Sequence, residues 1–347
     1  MGPILVVNAG STSLKLSVVQ ADREAISLDS LDAAPTGLDA VAHRIVHGGR
    51  RFRDPVVVDD SVEQELVRLI ELAPLHLTPA VAALRQARTQ LPLVPHIAVF
   101  DTAFHATIAD EAATYALPPQ VREEWGIHRY GFHGLSVQWA SEQVPAERLV
   151  VCHLGGGCSV TAVRGGRSLD TTMGFTPLEG VPMATRPGSV DPGALAYLLR
   201  HHLTLDELDQ ALEHESGLRG LSGLSGDVRE LERSNDPGAQ LALRIFAYRV
   251  AAAVGAMAVA LDGLDALVFT AGIGEHSAVI RAQICARLHF LGVELDGEQN
   301  EHPGPDGEIA AAASAVRIVV VRAREDLVAA RAARALLNRA LGPAGKP

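Results

Sequence analysis

A lone lysine beside a polar turn is the first feature of this chain that could do chemistry. Lys15 is one of only two lysines, the other being Lys346 near the end of the chain. It follows the Gly/Ser/Thr turn at residues 10–13, with valines before the turn and alternating polar and apolar residues after it. This pattern predicts a β-hairpin with a phosphate-sized tip, where an ammonium acts as a compact point charge. The alternative is a surface lysine on an edge strand.

The same pattern returns at residues 150–163. A run of β-forming residues leads to the turn Gly155, Gly156 and Gly157, and an alternating strand follows. Two hairpins that offer backbone N–H groups to anionic oxygen indicate an internal duplication. A chance pair of unrelated hairpins is the alternative.

Two carboxylates fall where predicted elements end. Asp101 directly follows a predicted buried strand at residues 97–100, and ligands in open α/β sheets bind beyond the carboxyl ends of strands. It is therefore a site candidate, unless it only caps a turn. Glu325 lies between a predicted strand at 316–321 and a predicted helix at 326–341. There it either complements the helix dipole or holds a metal ion that faces phosphate.

The elements around these residues are expected to alternate between strands and helices. Apolar spacing predicts a strand at 40–46 and helices at 61–73 and 80–90, then a strand at 266–270 and a helix at 277–288. The segment 272–274 is expected to be a turn, residues 250–261 a buried packing helix too short to span a bilayer, and residues 296–307 a surface loop.

Composition restricts the class of protein. A chain of 347 residues fits two domains, and 48% apolar residues exclude disorder. The net charge is −11, without a basic run longer than Arg50-Arg51, which argues against a nucleic-acid partner. Cys152, Cys158 and Cys285 form neither a CxxC pair nor an even disulfide set, so we expect a reducing compartment, the cytoplasm. Because the most apolar stretch, residues 250–261, is short, we expect no membrane partner.

Several familiar catalytic templates are missing from the sequence. It contains no GxxxxGK[ST], no HRD or DFG pair, no HExxH and no GxSxG. This disfavours P-loop NTPases, protein kinases, zincins and α/β-hydrolases. Gly272-x-Gly274 lacks the third glycine of a dinucleotide fingerprint.

The remaining motifs resemble those of the acetate kinase family. They occur in the family's order along nearly the whole chain, and they read NAGSTSLK, HRIVHGG, FDTAFH, YGFHG, HLGGG, MGFTPLEG, ATRPGSVDP, GLSGLSGD and FTAGIGE. MGFTPLEG and ATRPGSVDP separate this group from the related butyrate kinases.

The resemblance implies an α/β protein of two duplicated ribonuclease-H-like domains with an interdomain nucleotide cleft, the actin-like ATPase fold. We expect residues 1–103 with 327–347 to form the first domain, and residues 104–326 to form the nucleotide-binding second. The implied reaction is reversible transfer of the ATP γ-phosphoryl group to acetate, giving acetyl phosphate and ADP, with Mg²⁺ or Mn²⁺. The family also suggests a homodimer.

The resemblance assigns roles residue by residue. Arg44 and Arg186 would hold the acetate carboxylate and the transferring phosphoryl group, while His133 and His153 would contact that group in flight. Asp101 and Glu325 would lie near the metal, with Glu325 as its main ligand and Asn8, at the first hairpin, as a further ligand. The implied nucleotide contacts are Asn8, Ser11, Ser13, Lys15, His153, Leu154, Gly155, Gly156, Gly157, Asp227, Val228, Arg229, Gly272, Ile273 and Gly274. The implied acetate pocket consists of Val46, Leu75, Phe132 and Pro177, besides Arg44.

Three departures from the family pattern leave other functions open. Gly156 and His276 replace asparagines that many members carry, and the stretch between Lys15 and Arg44 is short. Without the asparagine side-chain amide at position 156, nucleotide affinity is in question, so one alternative is a member that binds ADP without turnover. The others are a propionate or other short-chain acyl kinase, and a nucleotide-dependent binding protein of the actin type.

Overall fold

The structure is a computed structural model that describes residues 2–10, 14–20, 24–304 and 306–340. The predicted nucleotide contacts Ser11 and Ser13 lie outside the described residues. The strands are β1 Ile4–Ala9, β2 Leu14–Gln20, β3 Glu24–Leu28, β4 Ala40–Ile45, β5 Val56–Val57, β6 His96–Phe100, β7 Arg148–Leu154, β8 Cys158–Arg164, β9 Arg167–Thr171, β10 Ala266–Thr270 and β11 Arg317–Val320.

Helices connect and cover these strands. They are α1 Asp60–Arg68, α2 Pro74–Gln90, α3 Asp110–Ala113, α4 Pro119–Trp125, α5 Gly134–Gln143, α6 Pro192–His201, α7 Leu205–Gln210, α8 Gly217–Ser222, α9 Val228–Arg233, α10 Pro237–Leu261, α11 Ala271–His276, α12 Ala278–Cys285, α13 Gly297–Glu301 and α14 Glu325–Ala340. The chain forms two compact units, each with its own sheet. The first consists of Met1–Ala106, Phe132–Trp139 and Arg324–Pro347, and the second of Thr107–Gly131 and Ala140–Ala323.

The sheet of the first unit has the strand order β3-β2-β1-β4-β6-β5. Strands β1, β2 and β3 form an antiparallel meander, and β1, β4 and β6 run parallel. The first predicted hairpin is confirmed, and its register places Lys15 opposite Asn8. The carboxyl ends of β1, β4 and β6 therefore meet at one edge of the sheet.

Alternation along β4 decides which layer each side chain faces. Val41 and Ile45 pack with the core that includes α1 and α2, whereas Ala40 and Ala42 pack with the core that includes α14. Because successive side chains of a strand point to opposite faces, Arg44 lies on the α14 side.

Helix α2 begins at Pro74, earlier than the predicted start at residue 80. Proline is well suited to the first helical position, where no intrahelical N–H donor is needed. Pro79 lies inside this helix, near its start, so it removes only one hydrogen bond from the ladder. The predicted start at residue 80 is therefore wrong, while the predicted end at residue 90 is confirmed.

The second unit repeats the plan of the first. Its sheet has the order β11-β10-β7-β8-β9, with β7, β8 and β9 in an antiparallel meander and β7, β10 and β11 parallel. In both units the meander's first strand pairs with the next strand in parallel. The second predicted hairpin and the duplication of the fold are therefore confirmed.

Helix α10 forms much of the second unit's core. Phe246, Val250 and Val254 are fully buried on it, and the Asp236 carboxylate caps its first turn. At 25 residues it is long and apolar enough by length and composition to cross a membrane, although half of its most apolar window is buried in the core. Core helices pass the same test. The predicted packing role is confirmed, while the prediction that this helix is too short to span a bilayer is wrong.

Two segments predicted to be irregular contain helices. Residues 272–274, expected to be a turn, belong to α11, which starts directly after β10. Residues 296–307, expected to be a loop, contain the short α13, whose first turn is capped by Asp296. Both helices follow a capping or strand-end residue that the apolar pattern alone does not identify.

Candidate functional site

Four polar side chains meet at the carboxyl ends of β1, β4 and β6 in the first unit. Arg44 donates from Nε and Nη2 to the two oxygens of Asp101, at 3.0 and 2.5 Å. Its Nη1 donates to Asn8 Oδ1 at 3.1 Å, and Asn8 Nδ2 donates to Glu325 Oε2 at 3.2 Å. The structure thus brings together Asn8, Arg44, Asp101 and Glu325, which the sequence placed far apart.

The electrostatics of this cluster favour a charged pair. Burial opposes the charge on Arg44, but Asp101 and Glu325 outweigh it and raise the pKa of Arg44 above its ordinary value. Burial raises the pKa of Asp101 above its ordinary value, and attraction to Arg44 only partly offsets that rise. Because a guanidinium stays protonated in proteins, the bidentate contact keeps Asp101 ionised at neutral pH.

Asp101 also fixes the turn that carries His133. Its carboxylate accepts the backbone N–H of His133, and its carbonyl accepts the N–H of Gly134 at 3.1 Å. His133 has a φ of 61°, in the left-handed region that non-glycine residues rarely adopt. A Cβ added to Gly134 would lie 2.0 Å from the Asp101 carbonyl oxygen, so only glycine fits there.

A second histidine holds the same turn from the other side. Burial lowers the pKa of His105 to about 4, so its ring is neutral at pH 7. Its Nε2–H donates to the Phe132 carbonyl oxygen at 2.8 Å. The sequence indicates His105 only as part of the motif FDTAFH. Its hydrogen bond depends on a turn more than twenty residues further along the chain.

The predicted pocket residues are divided between the units. Val46 and Phe132 are buried in the first unit, where Leu75 is partly buried, and Pro177 is buried in the second. The His47 ring contacts the edge of Phe132, with centroids 5.4 Å apart. Lys15 is exposed on β2, across the hairpin from Asn8.

In the second unit, the glycine turn between β7 and β8 packs against the start of α11. The Gly155 N–H donates to the Gly157 carbonyl at 3.0 Å, and a Cβ on Gly155 would lie 3.5 Å from the Ala271 Cβ. Ala271 has a positive φ of 65°. His153, at the end of β7, is 7% exposed and pairs with Thr270 in the sheet register.

Arg186 lies on a segment that is tied to this glycine turn. The Ala184 N–H donates to the Gly156 carbonyl at 3.2 Å, and the Arg186 carbonyl accepts the Met183 N–H at 2.9 Å. The Arg186 guanidinium donates from Nη1 to the Pro177 carbonyl at 2.8 Å. Burial lowers the pKa of Arg186, but a guanidinium remains charged at neutral pH.

The other predicted nucleotide residues lie on neighbouring elements of the second unit. Asp227 caps α9, and the Arg229 side chain holds its pKa below the ordinary value. Gly226 approaches Ala184 so closely that a Cβ would lie 2.6 Å from its carbonyl oxygen. In α11, by contrast, a Cβ on Gly272 would meet nothing within 4 Å. The turn of Gly155–Gly157, the Ala184 segment and the start of α11 thus form one contiguous set.

A buried arginine that the sequence motifs do not indicate supports α11. Arg281 is 1% exposed and donates from Nη1 to the carbonyls of Gly274 and Glu275, at 2.9 and 3.0 Å. Its Nε donates to Asn300 Oδ1 at 2.8 Å. An arginine within the apolar stretch of α12 was the available signal, because arginine is rarely buried without such partners.

The donor set of the first unit suits a hard cation. The amide of Asn8 and the carboxylate of Glu325 lie within one hydrogen bond of each other, from Asn8 Nδ2 to Glu325 Oε2, and each group carries an oxygen that can bind a cation. Among the described residues, no cluster of three or more histidine, cysteine or acidic side chains could hold a metal by itself. Mg²⁺ fits such a site, because it is usually held by one or two carboxylates together with waters and phosphate oxygens.

Comparison with known proteins identifies the family. A family profile described as Acetokinase family matches residues 24–331. The acetate kinase of Nostoc punctiforme is 49% identical over 301 residues, which cover 83% of this chain and 74% of that protein. The acetate kinase of Methanosarcina acetivorans is 44% identical over 306 residues, covering 85% and 75%.

Solved structures agree with this comparison. The crystal structure of Porphyromonas gingivalis acetate kinase matches with a TM-score of 0.85 at 30% identity, over 97% of this chain and 100% of that one. A propionate kinase from Francisella tularensis matches with a TM-score of 0.89 at 33% identity, over 96% and 99%. The motifs, the duplicated fold and these matches show that the chain belongs to the acetokinase family.

Proposed function

We propose that this chain catalyses reversible transfer of the γ-phosphoryl group of ATP to acetate, giving acetyl phosphate and ADP. The family match and the acetate kinases among its relatives support this activity. The single observation that carries the proposal is the buried Arg44–Asp101 pair, which also holds the His133 turn. It provides a fixed cation at the carboxyl ends of parallel strands, where α/β proteins bind ligands.

The chemistry requires positioning more than proton transfer. Acetate is already ionised at pH 7, so no general base has to activate it. Arg44 and Arg186 hold the acetate carboxylate and the transferring phosphoryl group, because a guanidinium can bond pairs of oxygens. His133 and His153 donate hydrogen bonds to the phosphoryl oxygens as charge develops on them. Asp101 keeps Arg44 in place throughout.

The nucleotide is assigned to the predicted phosphate and adenosine residues. Backbone N–H groups of the glycine turn after Leu154 would bind phosphate oxygens, and Lys15 would add a charge. Ile273 and its flanking glycines, with Asp227, Val228 and Arg229, would hold the adenosine. Glu325 and Asn8 would hold Mg²⁺ or Mn²⁺, which when bound neutralises charge on the phosphate oxygens.

Gly156, which replaces an asparagine of the family pattern, belongs to this proposed nucleotide site. Gly156 is exposed, and a Cβ added there would meet nothing within 4 Å. The absence of an asparagine at this position therefore leaves space rather than a rearranged turn. We expect weaker phosphate binding without loss of the turn.

The pocket assignment predicts which acid is used. Val46, Leu75, Phe132 and Pro177 would enclose the methyl group, and one extra methylene in a tight apolar pocket changes binding by about 1–3 kcal/mol. We expect acetate to be preferred over propionate, with butyrate poorest. A propionate or other short-chain acyl kinase is the second candidate, because one close structural match is a propionate kinase.

One assay separates these functions. The protein is incubated with ATP, Mg²⁺ and acetate, propionate or butyrate, and acyl phosphate is trapped as the hydroxamate. A kcat/KM for propionate equal to or above that for acetate would establish the second candidate. No product from any acid would overturn both, and calorimetry with ADP would then distinguish a nucleotide-binding protein without kinase activity from one that binds no nucleotide.

We also propose a cytoplasmic homodimer with no nucleic-acid or membrane partner. Helix α6 supports the dimer, because it carries Tyr197 and Leu199, exposed by 54% and 43%, and has no buried residue. A helix that leaves apolar side chains exposed and buries none favours a protein interface. We expect Leu199→Glu to halve the mass measured by light scattering, while Leu93→Glu, at a fully exposed position of the first unit, leaves it unchanged. An unchanged mass for both variants would show that α6 does not form the dimer interface.

A further inference from the structure

One arginine outside the family-matched site holds the segment that precedes Arg186. Arg129 donates from Nη1 to the carbonyls of Thr171, Thr172 and Met173, at 3.1, 3.0 and 3.2 Å. Its Nε donates to the Ala112 carbonyl at 3.2 Å. The rigid guanidinium fork thus fixes three successive carbonyls at the start of the segment 171–180.

Two further side chains complete this support. Arg129 Nη2 donates to Glu179 Oε1 at 3.0 Å, and the guanidinium lies 5.5 Å from the centre of the Tyr115 ring. The Tyr115 hydroxyl donates to Glu179 Oε2 and accepts the Phe175 N–H at 2.9 Å. A Cβ on Gly174 would lie 1.7 Å from Glu179 Oε2 and 2.0 Å from that hydroxyl, so the backbone passes as close as glycine allows.

The far end of the segment contacts Arg186. Within the described residues, the Pro177 carbonyl is the one hydrogen-bond acceptor of the Arg186 guanidinium, at 2.8 Å. Gly180 exchanges two hydrogen bonds with Ser189, three residues beyond Arg186. The position of the Pro177 carbonyl therefore sets the orientation of a guanidinium that is only 8% exposed.

We propose that Arg129, Glu179 and Tyr115 form a positioning network that orients Arg186 for phosphoryl transfer. The proposal rests on the role of Arg186 in the proposed function. The three side chains act through the backbone of residues 171–180 and the Pro177 carbonyl. Because a small misplacement of a catalytic group costs up to about 100-fold in rate, the network controls turnover rather than nucleotide binding.

Glu179→Gln is the first test, since it keeps the side-chain shape and weakens the bonds to both Arg129 and Tyr115. We expect kcat/KM for acetate to fall about tenfold, with the Kd for ADP unchanged within about twofold by calorimetry. Glu308→Gln is the matched control, because it removes the charge from an exposed pair with Arg317 in the same unit. We expect it to change neither quantity.

A double-mutant cycle separates positioning from a general loss of structure. If the network acts through Arg186, Glu179→Gln has no further effect in an Arg186→Lys background, and the double variant matches Arg186→Lys alone. Tyr115→Phe, which removes only a hydroxyl, should show the same dependence on Arg186. Multiplicative losses in both cycles, or wild-type kinetics for both single variants, would overturn the network. Absence of acyl phosphate from the wild type would instead overturn the proposed function.

Discussion

The sheets of the two units share a three-stranded meander followed by two parallel strands, to which the first unit adds β5. They present different chemistry at corresponding positions. The first unit places charged side chains at its strand ends, where Arg44 and Asp101 pair. The second presents the backbone of the Gly155–Gly157 turn, and its arginine, Arg186, comes from a loop held by a backbone carbonyl. A duplicated scaffold thus carries buried side-chain charge at the strand ends of one unit and backbone N–H groups of a glycine turn in the other.

This difference determines how each unit responds to mutation. Asp101 is 1% exposed, so removing its partner leaves a buried charge without compensation. Only substitution by proline removes a backbone N–H donor, and other substitutions can only obstruct or supplement it. We therefore expect changes at the Arg44–Asp101 pair to abolish activity and changes at the glycine turn to tune it.

The largest effect is expected for Arg44→Ala. Loss of this donor should lower kcat by about 10²–10³-fold, and the unpaired Asp101 should cost about 3–5 kcal/mol in the free energy of unfolding. Arg68→Ala, which breaks an exposed pair with Glu65 in the same unit, is the control and should have almost no effect. Hydroxamate kinetics and urea unfolding measure both. An Arg44→Ala variant with near-full activity would remove the first unit's charge from the mechanism.

Two glycine-to-alanine changes compare the units directly. Gly134→Ala places a Cβ 2.0 Å from the Asp101 carbonyl oxygen, whereas Gly156→Ala meets nothing within 4 Å. Because the first shifts the His133 turn, we expect a loss of about 100-fold in kcat, with little change for the second. Equal kinetics for the two variants would show that the His133 turn is not held as tightly as its contacts indicate.

Acid should destabilise the protein through the buried histidines of the first unit. Burial lowers the pKa of His105 to about 4 and that of His43 to about 3, both below the ordinary 6.5. The unfolded chain therefore takes up protons first, so stability is full above about pH 6.5 and falls as the pH drops toward 4. At pH 5 His105 alone should account for about 2 kcal/mol. Urea unfolding at several pH values measures this.

A matched pair of variants assigns the pH dependence. His105→Asn should reduce the pH dependence between 6.5 and 4 by about half, because His43 still titrates in this range. His302→Asn, at an exposed position of the second unit, should leave the pH dependence intact. A slope that His105→Asn does not alter would mean that other groups titrate.

Gly156→Asn should strengthen phosphate binding in the second unit. The space beside Gly156 accepts a side chain, and one added hydrogen bond to phosphate is worth about 1 kcal/mol. We expect the KM for ATP to fall about fivefold without a change in kcat. Gly156→Ala adds no donor and should leave KM unaltered. A higher KM for Gly156→Asn would show that the turn needs its open side.

The smallest effect is expected for Lys15→Arg. Lys15 is exposed on β2, so a guanidinium in its place keeps the charge but changes its geometry. We expect the KM for ATP to rise about threefold while kcat stays unchanged, which is within the range of an exposed ion pair. An unaltered KM would return Lys15 to the surface-lysine interpretation and leave phosphate binding in the first hairpin to its backbone.

Local patterns predicted much of the architecture. Both hairpins, the strand before Asp101 and the helix after Glu325 follow from periodicity and turn residues within a few positions. The start of α2 was missed, because Pro74 begins the helix where the local pattern suggests a break. The helical state of residues 272–274 was missed, because α11 starts directly after the end of β10. The assigned roles of individual site residues stay predictions.

By itself the sequence determined the duplicated α/β architecture, the family and the identities of the charged residues, since short-range spacing and motif order encode these. Only the tertiary structure decided that Arg44 pairs with Asp101, that His105 holds the Phe132 carbonyl, and that Arg129 supports the segment before Arg186. These contacts join residues that are many positions apart. Their partners are backbone carbonyls and buried carboxylates, whose placement depends on how the strands pair and which face each side chain takes.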